Sequence, residues 1–171
     1  RQPEWSALAL IEAPQFVSQV HADFVAAGAE VITTNSYALV PFHLGLERYQ
    51  RDAAALATLS GRLAREVADG APFPVQVGGS LPPVCGSYRP DLFELAAAKP
   101  ILEVLVHALR PFVDHWQGET LSAIAEAELL REVVGNDGKP VWISYTLTDD
   151  GAPDDTPRLR SGETVEAGVL A

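Results

Sequence analysis

Polar side chains stand at the ends of four hydrophobic runs, and one of them is a carboxylate. Asn35, Ser80, Glu119 and Thr146 each end a segment of strand-like composition. In parallel α/β folds, ligands bind at the carboxyl edge of the sheet, because strand ends and helix N-termini converge there. These four residues therefore indicate a binding or catalytic site with Glu119 as its charged group. Position alone leaves open that Glu119 is a solvated loop carboxylate.

The local sequence predicts how Glu119 is placed. Residues 112–117 have strand composition and Gly118 breaks the run, so Glu119 is expected in the following turn. Ser122 stands where a helix N-cap is expected, and Glu126 lies in the first turn, where an acidic side chain favours the helix dipole. The pattern predicts a strand, a short turn that carries Glu119, and a helix.

Hydrophobic periodicity predicts alternating helices and strands along the whole chain. The predicted helices are 14–27, 47–68, 100–109 and 122–134, with one more beginning at Thr164, and the predicted strands are 30–37, 74–80, 112–117 and 140–147. This order indicates an α/β fold with parallel strands. An open doubly wound sheet and an eight-stranded barrel both fit it.

The polar strand ends favour the barrel, which gathers all of its strand ends at one mouth, whereas an open sheet concentrates chemistry at one switch point. A complete barrel needs about 250 residues. The chain has 171, and we therefore predict an incomplete (β/α)8 TIM-type barrel.

Composition excludes several functional classes. A net charge of −11, with no cluster of lysine and arginine, argues against nucleic acid and anionic membranes as partners. No apolar run is long enough for a membrane span, and a single cysteine, Cys85, fits a reducing compartment, so we expect a soluble, cytoplasmic protein. The four histidines have no metal-ligand spacing, and no metal-ligating residue is predicted from this chain.

Other motifs say less about function. Gly78 and Gly79 do not form a phosphate-binding loop, and neither Ser80 nor Ser87 lies in a recognisable nucleophile motif. The proline-rich loop 81–90 is long for a strand-to-helix connection, and such loops are commonly functional. The acidic segment 149–155 lacks calcium-loop spacing and is predicted to be a solvated loop.

A further set of short motifs occupies segments 5–7, 31–37, 79–83, 86–91, 119–122, 142–146 and 159–162. In sequence and in order, these motifs resemble the homocysteine S-methyltransferase family, which includes betaine-, S-methylmethionine- and cobalamin-dependent enzymes. The resemblance implies a (β/α)8 barrel in which zinc holds homocysteine as its thiolate. The expected reaction moves a methyl group from S-methylmethionine, S-adenosylmethionine or a related donor to that sulfur, giving methionine.

The resemblance also implies substrate-binding residues. Glu119 would bind the ammonium group of homocysteine, and Thr34, Asn35 and Tyr37 match the strand-end segment that lines the pocket. Ser144 and Tyr145 are further candidates, although strand alternation directs only one of them inward. No catalytic side chain is assigned. The expected partners are homocysteine and a small methyl donor.

The chain departs from the family pattern in its zinc ligands. In the family three cysteines hold the zinc, one after a later strand and an adjacent pair near the end, and this chain ends before them. The family's first strand, which carries a substrate-contacting acidic residue, would precede Arg1. We therefore expect residues 1–171 to be the central part of such a barrel, neither binding zinc tightly nor turning over alone. Cys85 matches no ligand position and is predicted to be an ordinary loop thiol.

Two alternatives remain from the sequence. A non-catalytic partial barrel would cover its open sheet edges by pairing with a second copy or another chain, so that a homo-oligomer is a candidate state. A different barrel lyase or hydrolase would use Glu119 as a base, with a raised pKa and activity that does not need zinc.

Overall fold

The computed structural model describes residues 3–149 and 156–170. Its helices are α1 (Ala7–Glu12), α2 (Pro14–Ala26), α3 (Pro41–Leu44), α4 (Leu46–Asp69), α5 (Leu95–Leu109), α6 (Ile124–Val134) and α7 (Val165–Leu170). Its strands are β1 (Val31–Thr33), β2 (Gln76–Leu81), β3 (His115–Leu121) and β4 (Val141–Tyr145), and a 3-10 helix spans Pro90–Leu92. The predicted alternation of strands and helices is confirmed.

The strands form one parallel sheet in the order β1-β2-β3-β4. Parallel neighbours in chain order, joined by helices, are the arrangement of a barrel wall. This confirms the predicted α/β class and fits a partial barrel. All four carboxyl ends lie at the same edge, which positions the site.

The two faces of the sheet differ in chemistry. One face packs against the helices through Ile32, Val77 and Trp116, which lie in the hydrophobic core. The opposite face is here called the inner face. It carries Thr33 and Gln117, and Thr33 Oγ1 donates a hydrogen bond to Gln117 Oε1 at 2.9 Å. Helix packing stabilises one side of the sheet and leaves the inner face for other contacts.

The inner face also holds a buried histidine beneath an exposed tryptophan. His115 is 1% exposed, and its ring centroid lies 4.0 Å from that of Trp142. A Cβ at Gly78 would come within 2.9 Å of His115 Nε2, so the glycine leaves space for the imidazole. Burial lowers the pKa of His115, which favours the neutral ring.

Two predicted boundaries are wrong, and a short helix lies in a predicted loop. The strand predicted over 30–37 ends at Thr33, because the Thr34 and Ser36 hydroxyls bond the backbone of Ser80 and the chain turns. The helix predicted from Pro100 begins at Leu95, with Pro100 inside it. The loop after Tyr37 contains α3, which was not predicted.

Around Glu119 the predicted turn is also wrong. β3 continues through Gly118 to Leu121, so Glu119 lies within the strand. Ser122 does not cap α6; the Glu126 carboxylate instead accepts hydrogen bonds from the N–H groups of Ser122 at 2.5 Å and Ala123 at 2.9 Å. Glu126 thus bonds the two N–H groups that precede α6, and the Glu163 carboxylate accepts from the first helical N–H, that of Ile124, at 2.9 Å.

Within residues 3–149 and 156–170, no helix has the length and apolar character needed to cross a lipid bilayer. Of the acidic segment 149–155, all residues except Asp149 fall outside the described ranges.

Candidate functional site

A cleft of about 1240 Å³ opens at the carboxyl edge of the sheet. It is lined by Pro3, Trp5, Ser6, Tyr37, Phe42, His43, Ser87, Tyr88, Glu119 and Thr120. A smaller cavity of about 330 Å³ adjoins it on the inner face and shares Glu119 and Thr120 with it. Glu119 therefore lies where the cleft meets the inner face.

Glu119 is partly buried at this junction, and burial raises the pKa of its carboxyl above the ordinary value. The neighbouring Ser80 hydroxyl acts in the opposite direction and lowers that pKa, although it makes no well-formed hydrogen bond. A partly desolvated carboxylate is suited to bind a positively charged ligand group.

The backbone at Glu119 forms a β-bulge. Gly118 pairs with Ile143 and Leu121 pairs with Tyr145, so Glu119 and Thr120 together oppose the single residue between those partners. Two residues facing one define a bulge, a feature that redirects side chains next to functional sites. As a result, both Glu119 and Thr120 line the cleft.

Aromatic rings form part of the wall of the cleft. The Trp5 ring packs edge-on against Tyr37 with centroids 5.8 Å apart, and it stacks on His43 at 5.6 Å. The Tyr37 hydroxyl lies 2.7 Å from the Ser87 hydroxyl, which ties the wall to the proline-rich loop. Aromatic faces beside a carboxylate favour a cationic ligand.

Of the predicted substrate-binding residues, the structure brings Glu119 and Tyr37 together in the cleft. Thr34 is 3% exposed, and its hydroxyl accepts from Ser80 N–H at 3.0 Å. Asn35 donates from Nδ2 to the Ser6 carbonyl at 3.1 Å. Thr34 and Asn35 therefore support the walls of the cleft and do not line it.

The two candidates on β4 are separated by strand alternation. Ser144 lines the smaller cavity with Glu119. Tyr145 packs against the hydrophobic core on the helix side, and its ring would contact a Cβ at Gly168 at 3.2 Å. The structure brings Ser144 to the site and does not bring Tyr145 there.

Several lining residues were not predicted. Trp5, Ser87 and Tyr88 belong to segments that carry the family resemblance, but their side chains were not assigned to the site. A backbone signal marks the same place: within the described part of the chain, the non-glycine residues with positive φ are Trp5 (48°), Tyr88 (63°) and Thr120 (63°). All three line the cleft, and such strain concentrates at functional sites.

Zinc does not fit the described residues. Among them, no group of three histidine, cysteine, aspartate or glutamate side chains is close enough to hold a metal ion. Cys85, the single cysteine, is a free thiol in the proline-rich loop. Residues 3–149 and 156–170 therefore supply no zinc site, and no chemical step is assigned to zinc in this chain.

The charges of the cleft indicate what it can bind. Its described lining residues include one carboxylate, Glu119, and neither lysine nor arginine. The site therefore favours a small molecule with an ammonium or another cationic group over an anion.

Comparisons with known proteins all match homocysteine S-methyltransferases. A family model described as homocysteine S-methyltransferase matches residues 1–171. The homocysteine S-methyltransferase of Escherichia coli (strain K12) is 31% identical over 186 residues, covering 96% of this chain and 58% of the relative. Homocysteine S-methyltransferase 1 of Brassica oleracea var. italica is 37% identical over 68 residues, covering 39% of this chain and 21% of the relative. The chain thus spans less than two thirds of these curated relatives.

A solved structure agrees with the sequence comparisons. The oxidized form of the homocysteine methyltransferase MmuM from Escherichia coli matches with a TM-score of 0.75 and 26% identity. The match covers 98% of this chain and 61% of that one.

Proposed function

The chain belongs to the homocysteine S-methyltransferase family, and we propose that Glu119 binds the ammonium group of homocysteine, the methyl acceptor of the whole protein. The observation that carries this proposal is the partly buried Glu119 carboxylate in a cleft whose described lining has no lysine or arginine. Pairing with an ammonium group would offset the cost of keeping this carboxylate charged.

The rest of the cleft supports a cationic methyl donor. The rings of Trp5, Tyr37 and His43 line the same cleft as Glu119 and contact one another through Trp5. Such surface attracts a sulfonium group, as in S-methylmethionine or S-adenosylmethionine, through its π-electron density. We propose a donor of this class, with homocysteine held at the bulge.

The chemistry of methyl transfer needs a thiolate, because a thiol with a pKa near 8.5 is mostly protonated at neutral pH. By the family resemblance, a zinc ion held elsewhere in the whole protein would supply that thiolate. The described residues offer no such site, so zinc remains a prediction for the whole protein. The 171-residue chain alone is expected to orient the amino acid without transferring the methyl group.

Two further assignments remain proposals. We propose that residues 1–171 form the central part of a longer barrel, of which they would be a little over half by length if it is as long as the Escherichia coli relative, 58% of which is covered. A cytoplasmic location fits the single cysteine of the chain.

The raised pKa of Glu119 is also what a lyase or hydrolase with a glutamate base requires. The family match favours methyl transfer. A zinc-independent elimination or hydrolysis that disappears in Glu119→Gln would instead favour the alternative.

Titration of the chain with L-homocysteine, followed by NMR chemical shifts, tests the proposal. We expect saturable shifts at the cleft, and Glu119→Gln should weaken binding by about tenfold or more, since a charge-assisted hydrogen bond is lost. Glu128→Gln, at an exposed position on α6, removes the same charge elsewhere and should bind like wild type. Equal affinity in Glu119→Gln and wild type would refute the role of Glu119.

A second assay addresses zinc and turnover. Zinc stoichiometry and methionine formation from homocysteine with S-methylmethionine are measured on the 171-residue chain. Absence of both is expected. Tight zinc binding by this chain would contradict the expected position of the ligands.

A further inference from the structure

The β-bulge that carries Glu119 is held by one side chain of the neighbouring strand. The Ser144 hydroxyl accepts a hydrogen bond from Thr120 N–H at 3.1 Å and lies 3.3 Å from the Gly118 carbonyl, to which it donates. Ser144 therefore bridges both sides of the extra residue. Glu119 is the residue between the two bridged positions.

The bulge needs such support because its backbone is strained. Thr120 has a φ of 63°, in the left-handed region that costs a β-branched residue free energy. Strained residues persist only where the surrounding structure fixes them. The hydrogen bond from Thr120 N–H to Ser144 Oγ provides one such constraint.

The bulge keeps Thr120 on the same side of β3 as Glu119. Gly118 faces the helices, where an added Cβ would lie 2.8 Å from Leu130 Cδ1, and Leu121 is 2% exposed on the same side. In a regular strand, residues three apart point to opposite faces. The extra residue lets Gly118 and Leu121 share the core face while Glu119 and Thr120 both line the cleft.

We propose that Ser144 is a positioning residue, which acts through the bulge at Thr120 to hold the Glu119 carboxylate at the junction of the cleft and the inner face. This rests on the proposed function, in which Glu119 binds the amino acid ammonium group. Ser144 itself need not touch the substrate. Its hydroxyl is occupied by the backbone on both sides of Glu119.

The pKa of Glu119 provides a test that needs no ligand. Burial raises that pKa, so a bulge that relaxes and lets the carboxyl into water should bring it back toward the ordinary value. Side-chain ¹³C NMR titration of Glu119 is compared in wild type, Ser144→Ala and Ser144→Thr. Tyr37, His43 and Tyr88 are the other titratable side chains of the cleft and are followed in the same spectra.

We expect Ser144→Ala to lower the Glu119 pKa and to weaken L-homocysteine binding about tenfold, the equivalent of one hydrogen bond. Ser144→Thr keeps the hydroxyl and should retain both values. Thr58→Ala removes a hydroxyl that bonds the Ala54 carbonyl at an exposed position of α4 and serves as the matched control. Melting temperatures verify that each variant is folded.

The outcomes separate the two proposals. A Ser144→Ala protein whose Glu119 pKa equals that of wild type overturns the positioning role, as does a Ser144→Thr protein that behaves like Ser144→Ala. If wild type does not bind L-homocysteine, the proposed function fails, while the change in pKa still decides the role of Ser144. If the Ser144→Ala chain does not fold, Ser144→Thr is tested in its place. The ³J(HN,Hα) coupling of Thr120 then reports its φ. Loss of the left-handed φ although the hydroxyl is kept refutes the proposal.

Discussion

At the scale of single residues, the partly buried Glu119 carboxyl is suited to bind a cation but lowers the stability of the fold when it is ionised. Its folded pKa is raised by burial, so the contribution of Glu119 to stability is fully present below the unfolded pKa and is lost as pH rises through the folded pKa. At neutral pH the ionised carboxyl therefore destabilises the fold. Binding of an ammonium group would remove that penalty, which is a physical reason to keep a partly buried acid in the cleft.

Glu119→Gln is accordingly expected to stabilise the protein at pH 7, by about 1 kcal/mol, the usual size of a stabilising substitution. The difference from wild type should vanish under acid conditions, where Glu119 is protonated. Urea denaturation at pH 7 and at pH 4 measures both values. Glu128→Gln, at an exposed position, is measured alongside as the charge-matched control. A destabilised Glu119→Gln at pH 7 would contradict the desolvation argument.

At the scale of secondary-structure elements, the junction of β3 and β4 depends on close packing at Gly118. An added Cβ would lie 2.8 Å from both Ile143 Cδ1 and Leu130 Cδ1 and 3.2 Å from Leu121 Cδ1. Gly118→Ala should therefore destabilise the protein by about 1–3 kcal/mol, the usual cost of overpacking. Urea denaturation measures the free energy of unfolding, with Gly70→Ala as the control. At Gly70 an added Cβ would lie 3.4 Å from the Glu66 carbonyl, so the free energy of unfolding should change by no more than about 0.5 kcal/mol. Equal stabilities for the two variants would refute the packing argument.

The same elements show what the sequence could predict. Period and composition predicted α4, α6, β2 and β4 closely, because their side chains report a local burial pattern. The course of β3 was missed, since Gly118 was taken as a strand breaker when it is a packing contact across the sheet. The bulge depends on Ser144, which is 24 residues from Thr120 in sequence. No local pattern contains such a long-range hydrogen bond.

The candidate site was predicted in part for the same reason. Parallel topology alone placed Glu119 at the carboxyl edge, and the structure places it in the cleft. Thr34 and Asn35 were expected beside it, but their side chains bond Ser80 N–H and the Ser6 carbonyl. Which polar side chain reaches a cavity depends on tertiary contacts that spacing does not encode.

At the scale of the whole molecule, the inner face of the sheet is open in this chain. Within the described residues, β1 pairs only with β2 and β4 only with β3. On that face, Val31 of the edge strand β1 is 37% exposed and Trp142 of the edge strand β4 is 48% exposed. Unpaired edges beside exposed apolar side chains favour association with another chain.

The 171-residue chain is therefore expected to self-associate through this face, as a partial barrel would. Size-exclusion chromatography with light scattering over a range of concentrations measures the mass. Val31→Lys/Trp142→Lys places charges on the inner face and should raise the dissociation constant by about tenfold or more, because apolar and aromatic anchors dominate such interfaces. Phe16→Lys changes a side chain that is 63% exposed on α2 and should leave association unchanged. A monomeric wild type at every concentration would contradict self-association, and an effect of Phe16→Lys equal to that of the double variant would move the contact from the open sheet to the helices.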